Sequence, residues 1–136
     1  MLTTKCINPE LMAALALCGH GSQILIADGN YPLNEKSGSA TKIFLGLCPG
    51  TPTVTAVLAT LQSVINIEAA TVMQPADGTG LAIFDEFRQM LPGIELKKLG
   101  RFEFYDACSA DKAVVIAIET GERRTYANLL ITVACA

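Results

Sequence analysis

The sequence predicts an α/β fold: a single layered domain with a largely parallel central sheet. Short apolar runs suited to strands alternate with stretches of helical spacing through most of the chain. Glycine, proline, asparagine and aspartate cluster at nearly every junction between them. No internal repeat, linker or low-complexity tract interrupts the 136 residues, so one domain is expected to cover positions 1–136.

Asn8-Pro9-Glu10 reads as a helix start: an N-cap, a proline in the first turn, and an acid at the positive end of the helix. That helix is expected to reach about Cys18 and to stop at Gly19. Residues 23–27 form a buried strand. The polar residues 33–41 form a loop, expected to be the most mobile segment. Residues 43–47 are a second strand. Cys48-Pro49-Gly50 turns the chain, and Thr51-Pro52 opens a helix to about Val64. Residues 69–73 are a third strand, and Asp77-Gly78-Thr79-Gly80 leads into a helix over 81–90 that Pro92-Gly93 ends. Residues 94–99 are extended, 102–107 suit one or two helical turns, and 113–119 and 129–134 are apolar strands. The turn region Gly121-Glu122-Arg123-Arg124 lies between the last two.

Apolar residues make up 51% of the chain and the mean hydropathy is +0.40, high for a soluble monomer. No apolar run reaches the roughly 18 residues that span a bilayer, so no membrane partner is expected. The surplus is better buried between subunits, which predicts a homo-oligomer. Residues 1–16 lack the basic start, apolar core and cleavage site of a secretory leader. The five cysteines are odd in number and scattered, with no Cys-x-x-Cys pair, which fits a reduced, cytoplasmic chain. Net charge is −3, and the densest basic cluster is only Lys97, Lys98 and Arg101. Nucleic acid is therefore excluded as a partner.

Few side chains invite chemistry. His20, the only histidine, sits between two glycines at a strand entrance. It is either a proton carrier with room for a ligand to approach, or a surface cap. Asp28 follows the same strand, where ligands of open α/β sheets bind; Asp-Gly is equally a turn former. The two are about 25 Å apart in an extended chain. They share a site only if the chain folds back or two subunits each supply one. Tyr126 and Asn128, two apart, face the same way from an extended segment and could grip hydroxyl groups; an edge tyrosine beside a turn asparagine is the plainer alternative. Arg101, in Gly-Arg-Phe-Glu-Phe-Tyr-Asp, offers a fork of donors or is a solvated helix charge. Cys18 and His20 are close enough in sequence for a nucleophile pair, although Cys18 better suits a buried helix end. Pro49-Gly50-Thr51-Pro52 opens a helix without the Gly-Lys-Ser/Thr of a phosphate loop, and residues 77–80 are no dinucleotide fingerprint. One histidine and scattered thiols make no zinc site, so neither metal nor cofactor is expected.

Gly19-His20-Gly21, the apolar strand and Ala27-Asp28-Gly29-Asn30-Tyr31-Pro32 together resemble the opening signature of the ribose pyranase and fucose mutarotase family. Arg101-Phe-Glu-Phe-Tyr105 and Gly121-Glu122-Arg-Arg-Thr-Tyr126-Ala-Asn128 resemble its second and third signatures, in the right order across essentially the whole chain. The resemblance implies cofactor-free interconversion of cyclic forms of a free monosaccharide. It implies His20 as proton donor and Asp28, Arg101, Tyr126 and Asn128 as substrate-binding residues. It also implies ring-shaped oligomers, often decamers, with sites at subunit boundaries. Arg101 places the chain nearer the fucose branch, because the ribose branch carries histidine near that point. Ser22 and Asn30 depart from the fucose pattern. A pyranase acting on D-ribose and a sugar-binding accessory protein without turnover are the alternatives.

Overall fold

The computed structural model describes residues 1–136 and contains six strands and four helices. In chain order they are α1 (Pro9–Leu15), β1 (Gln23–Ala27), β2 (Thr41–Phe44), α2 (Val54–Leu61), β3 (Ile67–Gln74), α3 (Ala82–Met90), β4 (Leu96–Gly100), α4 (Arg101–Ser109), β5 (Val114–Glu119) and β6 (Leu129–Val133). The sheet order is β2-β5-β1-β6-β3-β4. The β1–β5, β2–β5 and β3–β4 pairs are parallel, whereas β6 is antiparallel to both β1 and β3. A parallel crossover needs about a dozen residues or more, and the 120–128 connection is shorter than that. The chain therefore hooks over the end of β1 and returns antiparallel on its far side.

The sheet is packed on both faces. Ile24 and Ile26 of β1 join Leu11, Leu58, Phe84 and Phe87 in the larger core, under α1, α2 and α3. Leu25 and Ala27 point the other way and join Tyr31, Phe104, Cys108 and Leu130 under α4. Burial on both faces is why β1 reads as a continuous apolar run rather than an alternating one. Two bulges break the register. Val115 is the extra residue of β5 opposite Gln23 and Ile24, and Glu68 is the extra residue of β3 opposite Thr132 and Val133. A bulge re-aims the side chain it carries.

Several boundaries differ from the sequence expectation. The first helix ends at Leu15, not Cys18. Its bonding tightens there to a three-residue spacing, with Leu17 N–H donating to Ala14 O and Cys18 N–H to Leu15 O. The second strand is Thr41–Phe44 rather than 43–47, because its neighbour β5 stops at Glu119, opposite Phe44. The second helix starts at Val54, since Thr53 rather than Thr51 caps it by accepting from Ala56 N–H at 3.1 Å. The third strand is longer than expected because β6 and β4 hold it on both sides. The short turns expected at 102–107 are a full helix, α4, whose Phe104, Tyr105 and Cys108 are buried on one side. The 33–41 loop is packed down instead of free. Leu33, Ser37 and Ala40 are buried, and Ser37 Oγ donates to Leu33 O at 2.6 Å.

No helix is long and apolar enough to cross a membrane. Phe87 has no exposed surface and sits where α3 meets the larger core. Phe87→Ala should cost about 3–5 kcal/mol of unfolding free energy, from lost transfer energy plus the cavity left behind. Urea denaturation of variant and parent measures this directly.

Candidate functional site

The parallel strands end along one edge, and the convergent polar side chains lie there. Asp28 leaves β1, Met73 lies near the end of β3, Arg101 opens α4 where β4 stops, and Asn128 precedes β6. Together with Asn30, Tyr31, Tyr105, Thr125 and Tyr126 they line a cavity of about 160 Å³. That is below the ~300 Å³ at which drug-sized pockets begin, so the cavity suits a single small ring.

Asp28 is the centre of this edge and is only 2% exposed. Its Oδ1 accepts from Asn30 N–H at 2.8 Å and its Oδ2 from Ala127 N–H at 3.2 Å. Its own N–H donates to Asn128 Oδ1 at 2.8 Å. Burial pushes the Asp28 carboxyl above its usual range, and the N–H groups of Asn30 and Ala127 pull back against it. Each carboxylate oxygen keeps a free lone pair for a donor in the cavity. Asn128 is 3% exposed, and its Nδ2 meets only the Met73 thioether, at 3.9 Å. A thioether is a weak acceptor, so a buried amide donor is left waiting for a better one.

The other wall is aromatic and cationic. Arg101 Nε donates to the Tyr105 hydroxyl at 3.1 Å, and the guanidinium lies 5.5 Å from the Tyr105 ring centre and 5.8 Å from that of Phe102. The Tyr105 hydroxyl raises the arginine's proton affinity further. Tyr31 meets Tyr105 edge-on at 5.3 Å and ties itself to Lys36 O at 2.7 Å. Tyr126 lies across from this wall with φ +60°, an uncommon left-handed conformation for an aromatic residue. Tyr126 and Asn128 thus reach one cavity through a left-handed turn, not from the extended segment expected of them. Tyr105 and Met73 also line the cavity, and Met73 carries no mark in the sequence. Tyr105 stood inside the Arg-Phe-Glu-Phe-Tyr motif as its only visible signal.

His20 is elsewhere. It lies beyond the opposite end of β1, with its side chain 58% exposed, and does not line the cavity. Its Nε2 is 3.0 and 3.1 Å from the two carboxylate oxygens of Glu68, the bulged residue of β3. A carboxylate on Nε2 fixes the ring and leaves Nδ1 open to a second partner. Gly21 N–H donates to Val133 O, and Gly19 N–H to Ser22 Oγ at 3.1 Å, so the turn itself is pinned. Glu68 is 48 positions from His20, and no spacing rule points to it. Within the chain Glu68, and not Asp28, orients the histidine. Cys18 is half-buried, and burial raises its thiol, which argues against a Cys18–His20 nucleophile pair. No three His, Cys, Asp or Glu side chains converge as metal ligands.

Other depressions are larger but lack this combination of groups. One of about 410 Å³ lies beside the cavity over residues 46–49 and 119–123, and shares Asn30 with it. The cavity alone combines a buried carboxylate, an underused buried amide, a guanidinium and three phenols, which is a set for several hydroxyl groups on one small ring.

The model of the RbsD / FucU transport protein family matches residues 1–136. The chain belongs to that family. A fucose mutarotase of Homo sapiens is 33% identical over 136 residues, covering 92% of this chain and 86% of that one. A D-ribose pyranase of Chloroflexus aggregans is 27% identical over 131 residues, covering 96% and 95%. Among solved structures, Bacillus subtilis RbsD complexed with D-ribose superposes with a TM-score of 0.84 at 25% identity, over 100% of this chain and 99% of that one. The fucose mutarotase of Streptococcus pneumoniae in complex with L-fucose gives 0.82 at 22%, over the same shares, and shares the fold.

Asp28→Asn should expose how much depends on the carboxylate. The new amide must turn its NH2 toward one of two backbone N–H donors and leave it unmet, at about 1–3 kcal/mol. The pH dependence has a definite sign. A carboxyl held above 3.8 in the folded state stabilises fully below that value and loses this contribution as pH rises through the folded value. Denaturation from pH 3 to 8 should show this fall in the parent and its absence in the variant.

Proposed function

We propose that this protein interconverts the cyclic forms of a free monosaccharide by acid–base catalysed ring opening and closure, with L-fucose or a close relative as substrate. The observation that carries the reading is the cavity at the end of β1. There Asp28, Arg101, Tyr126 and Asn128 converge on a space the size of one sugar ring. The relatives named fucose mutarotase and D-ribose pyranase support the reaction class. Arg101 in front of Phe-x-Phe-Tyr is what favours the fucose reading over ribose pyranase.

In this reading Asp28 accepts from sugar hydroxyls through its free lone pairs. The Asn128 amide exchanges the Met73 thioether for a hydroxyl oxygen. Arg101 donates in a fixed fork braced by Tyr105, and Tyr126 offers its hydroxyl and the apolar face of its ring. The chemistry then needs one proton carrier. A base takes the proton of the anomeric hydroxyl while an acid protonates the ring oxygen. The bond between C1 and the ring oxygen breaks, C1 becomes an aldehyde and rotates, and the reverse steps close the ring on its other face. Protons balance, and no redox step or cofactor enters. His20 is the group for this transfer, held by Glu68 on one nitrogen and free on the other.

His20 and Asp28 bracket β1 from opposite ends, so one protomer cannot bring them together. The histidine reaching a given cavity therefore comes from a second copy, and the site is completed in a homo-oligomer, a ring in keeping with the family resemblance. Large exposed apolar side chains lie near both ends: Leu17 close to His20 in sequence, and Phe102 next to Arg101. A cytoplasmic location fits a protein that meets free sugar after uptake.

Two measurements follow. His20→Ala should slow anomer exchange of fucose, read by NMR exchange spectroscopy, by ~10²–10⁴-fold with sugar binding little changed. Asn128→Ala should abolish exchange through lost binding. Refolded together, these two inactive variants should regain activity, because some cavities then receive a wild-type histidine. A mixture as inactive as its parts overturns the shared site, and an unimpaired His20→Ala oligomer overturns the mechanism. Separately, Arg101→Lys should weaken fucose handling and leave fold and assembly intact, since an ammonium cannot reproduce the fork. Equal rates on fucose, ribose and galactose before and after the change would make Arg101 a bystander.

A further inference from the structure

The 120–128 connection carries an ion-pair cluster that the sugar chemistry does not use. Glu122 is 4% exposed, yet it faces Arg124 on three counts. Arg124 Nε and backbone N–H donate to Glu122 Oε1 at 3.0 and 3.1 Å, and Arg124 Nη2 donates to Oε2 at 3.0 Å. The same guanidinium reaches across to α3, where Nη1 donates to Glu86 Oε1 at 2.6 Å. Glu122 is tied into the sheet edge from below. Its carbonyl accepts from Gly29 N–H at 2.9 Å, and its N–H donates to Thr120 Oγ1, which donates in turn to Ala27 O at 2.8 Å. The Arg124 fork holds the Glu122 carboxyl below its usual range.

Two residues further on stands Tyr126 in its left-handed conformation. A non-glycine residue keeps such a conformation only where its surroundings over-determine it. On its C-terminal side the fixed point is Ala127 N–H on Asp28 Oδ2. On its N-terminal side it is the guanidinium strap between Glu122 and Glu86. The strap joins the α3 layer to the rim of the cavity without lining the cavity itself.

We propose that Glu86, Glu122 and Arg124 form a brace that aims Tyr126 into the cavity and so sets the affinity of the site for sugar. All three are positioning residues. The proposal rests on the sugar-site reading for its consequence and on the hydrogen bonds above for its geometry. Arg suits the place because its fixed planar fork grips Glu122 through Nε and Nη2 while Nη1 reaches Glu86, a geometry that a lysine ammonium does not reproduce.

The test uses Arg124→Gln, Arg124→Lys and Glu86→Gln. Arg88→Gln serves as a control, because it breaks an exposed ion pair with Asp85 on the same helix that leads nowhere near the cavity. Arg124→Gln should raise the dissociation constant and KM for fucose roughly five- to tenfold, the worth of about one hydrogen bond, with kcat and melting temperature little changed. Arg124→Lys should rescue only part of this, Glu86→Gln should show a smaller rise, and Arg88→Gln none. In a Tyr126→Phe background the Arg124→Gln penalty should vanish, because both changes then remove the same contact. A merely structural role would lower melting temperature and apparent kcat and leave KM alone; that pattern, or an additive penalty in the Tyr126→Phe background, overturns the brace. Should Arg124→Gln fail to fold, Glu86→Gln at an exposed carboxylate carries the same comparison. Hydrogen exchange of the Ala127 amide reads the geometry apart from any sugar. Should the wild type bind no monosaccharide, the sugar reading falls; faster Ala127 exchange in Arg124→Gln then still supports the brace, and unchanged exchange overturns it.

Discussion

A carboxylate buried at the end of a strand must be surrounded by donors, and Asp28 sets that demand for this fold. One donor, Asn30 N–H, comes from the turn that follows β1, and the other comes from the residues leading into the chain's only antiparallel strand. Because β6 begins where β1 ends and runs the other way, the residues entering it lie directly over Asp28. Ala127 N–H reaches one carboxylate oxygen, and the Asn128 side chain takes up the N–H of Asp28 itself. A parallel β6 would have started at the far end of the sheet and left Asp28 Oδ2 without its donor. The single reversal in the topology therefore offsets part of the cost of burial and places Tyr126 and Asn128 beside the same carboxylate.

Much of the architecture was readable because it rests on local chemistry. Asn8 does cap α1, its side chain accepting from Leu11 N–H at 2.8 Å. The apolar run 23–27 is the strand buried on both faces, and the ends of β1 and β4 deliver Asp28 and Arg101 to one cavity as strand ends in open α/β sheets do. What was not readable is non-local. The strand lengths follow from neighbours: β2 stops where β5 stops, and β3 extends because it is paired on both sides. The 33–41 loop looks mobile by composition, yet Leu33, Ser37 and Ala40 fill the space over the smaller core. Glu68 meets His20 only because a bulge turns its side chain, and a bulge leaves no mark in a single sequence.

The site residues separate along the same line. Asp28, Arg101, Tyr126 and Asn128 were marked by residue type and by motif, and all four line the cavity. Their individual geometry was not marked. Period-two alternation placed Tyr126 and Asn128 on one face of a strand, whereas a left-handed turn is what brings them together. Tyr105 is a core residue by burial and a cavity residue by position, a double role that periodicity cannot separate. It packs on Tyr31 and at the same time holds Arg101, so the cationic wall is anchored in the smaller core.

In the proposed function, the two ends of β1 divide the chemistry between binding and proton transfer. At the carboxyl end a buried, well-bonded set is organised before any ligand arrives, which lowers the entropy lost when a small ring is captured. At the amino end a histidine is exposed, held by one carboxylate and free to face outward. Within one chain their separation leaves the Asp28 lone pairs open. With the histidine arriving from another copy, as the proposed function has it, the carboxylate stays available in the single chain and the acid–base group appears only on assembly. Subunit association then sets the distance between proton carrier and anomeric centre, and the exposed apolar residues around both ends of β1 become part of the catalytic geometry as well as of stability.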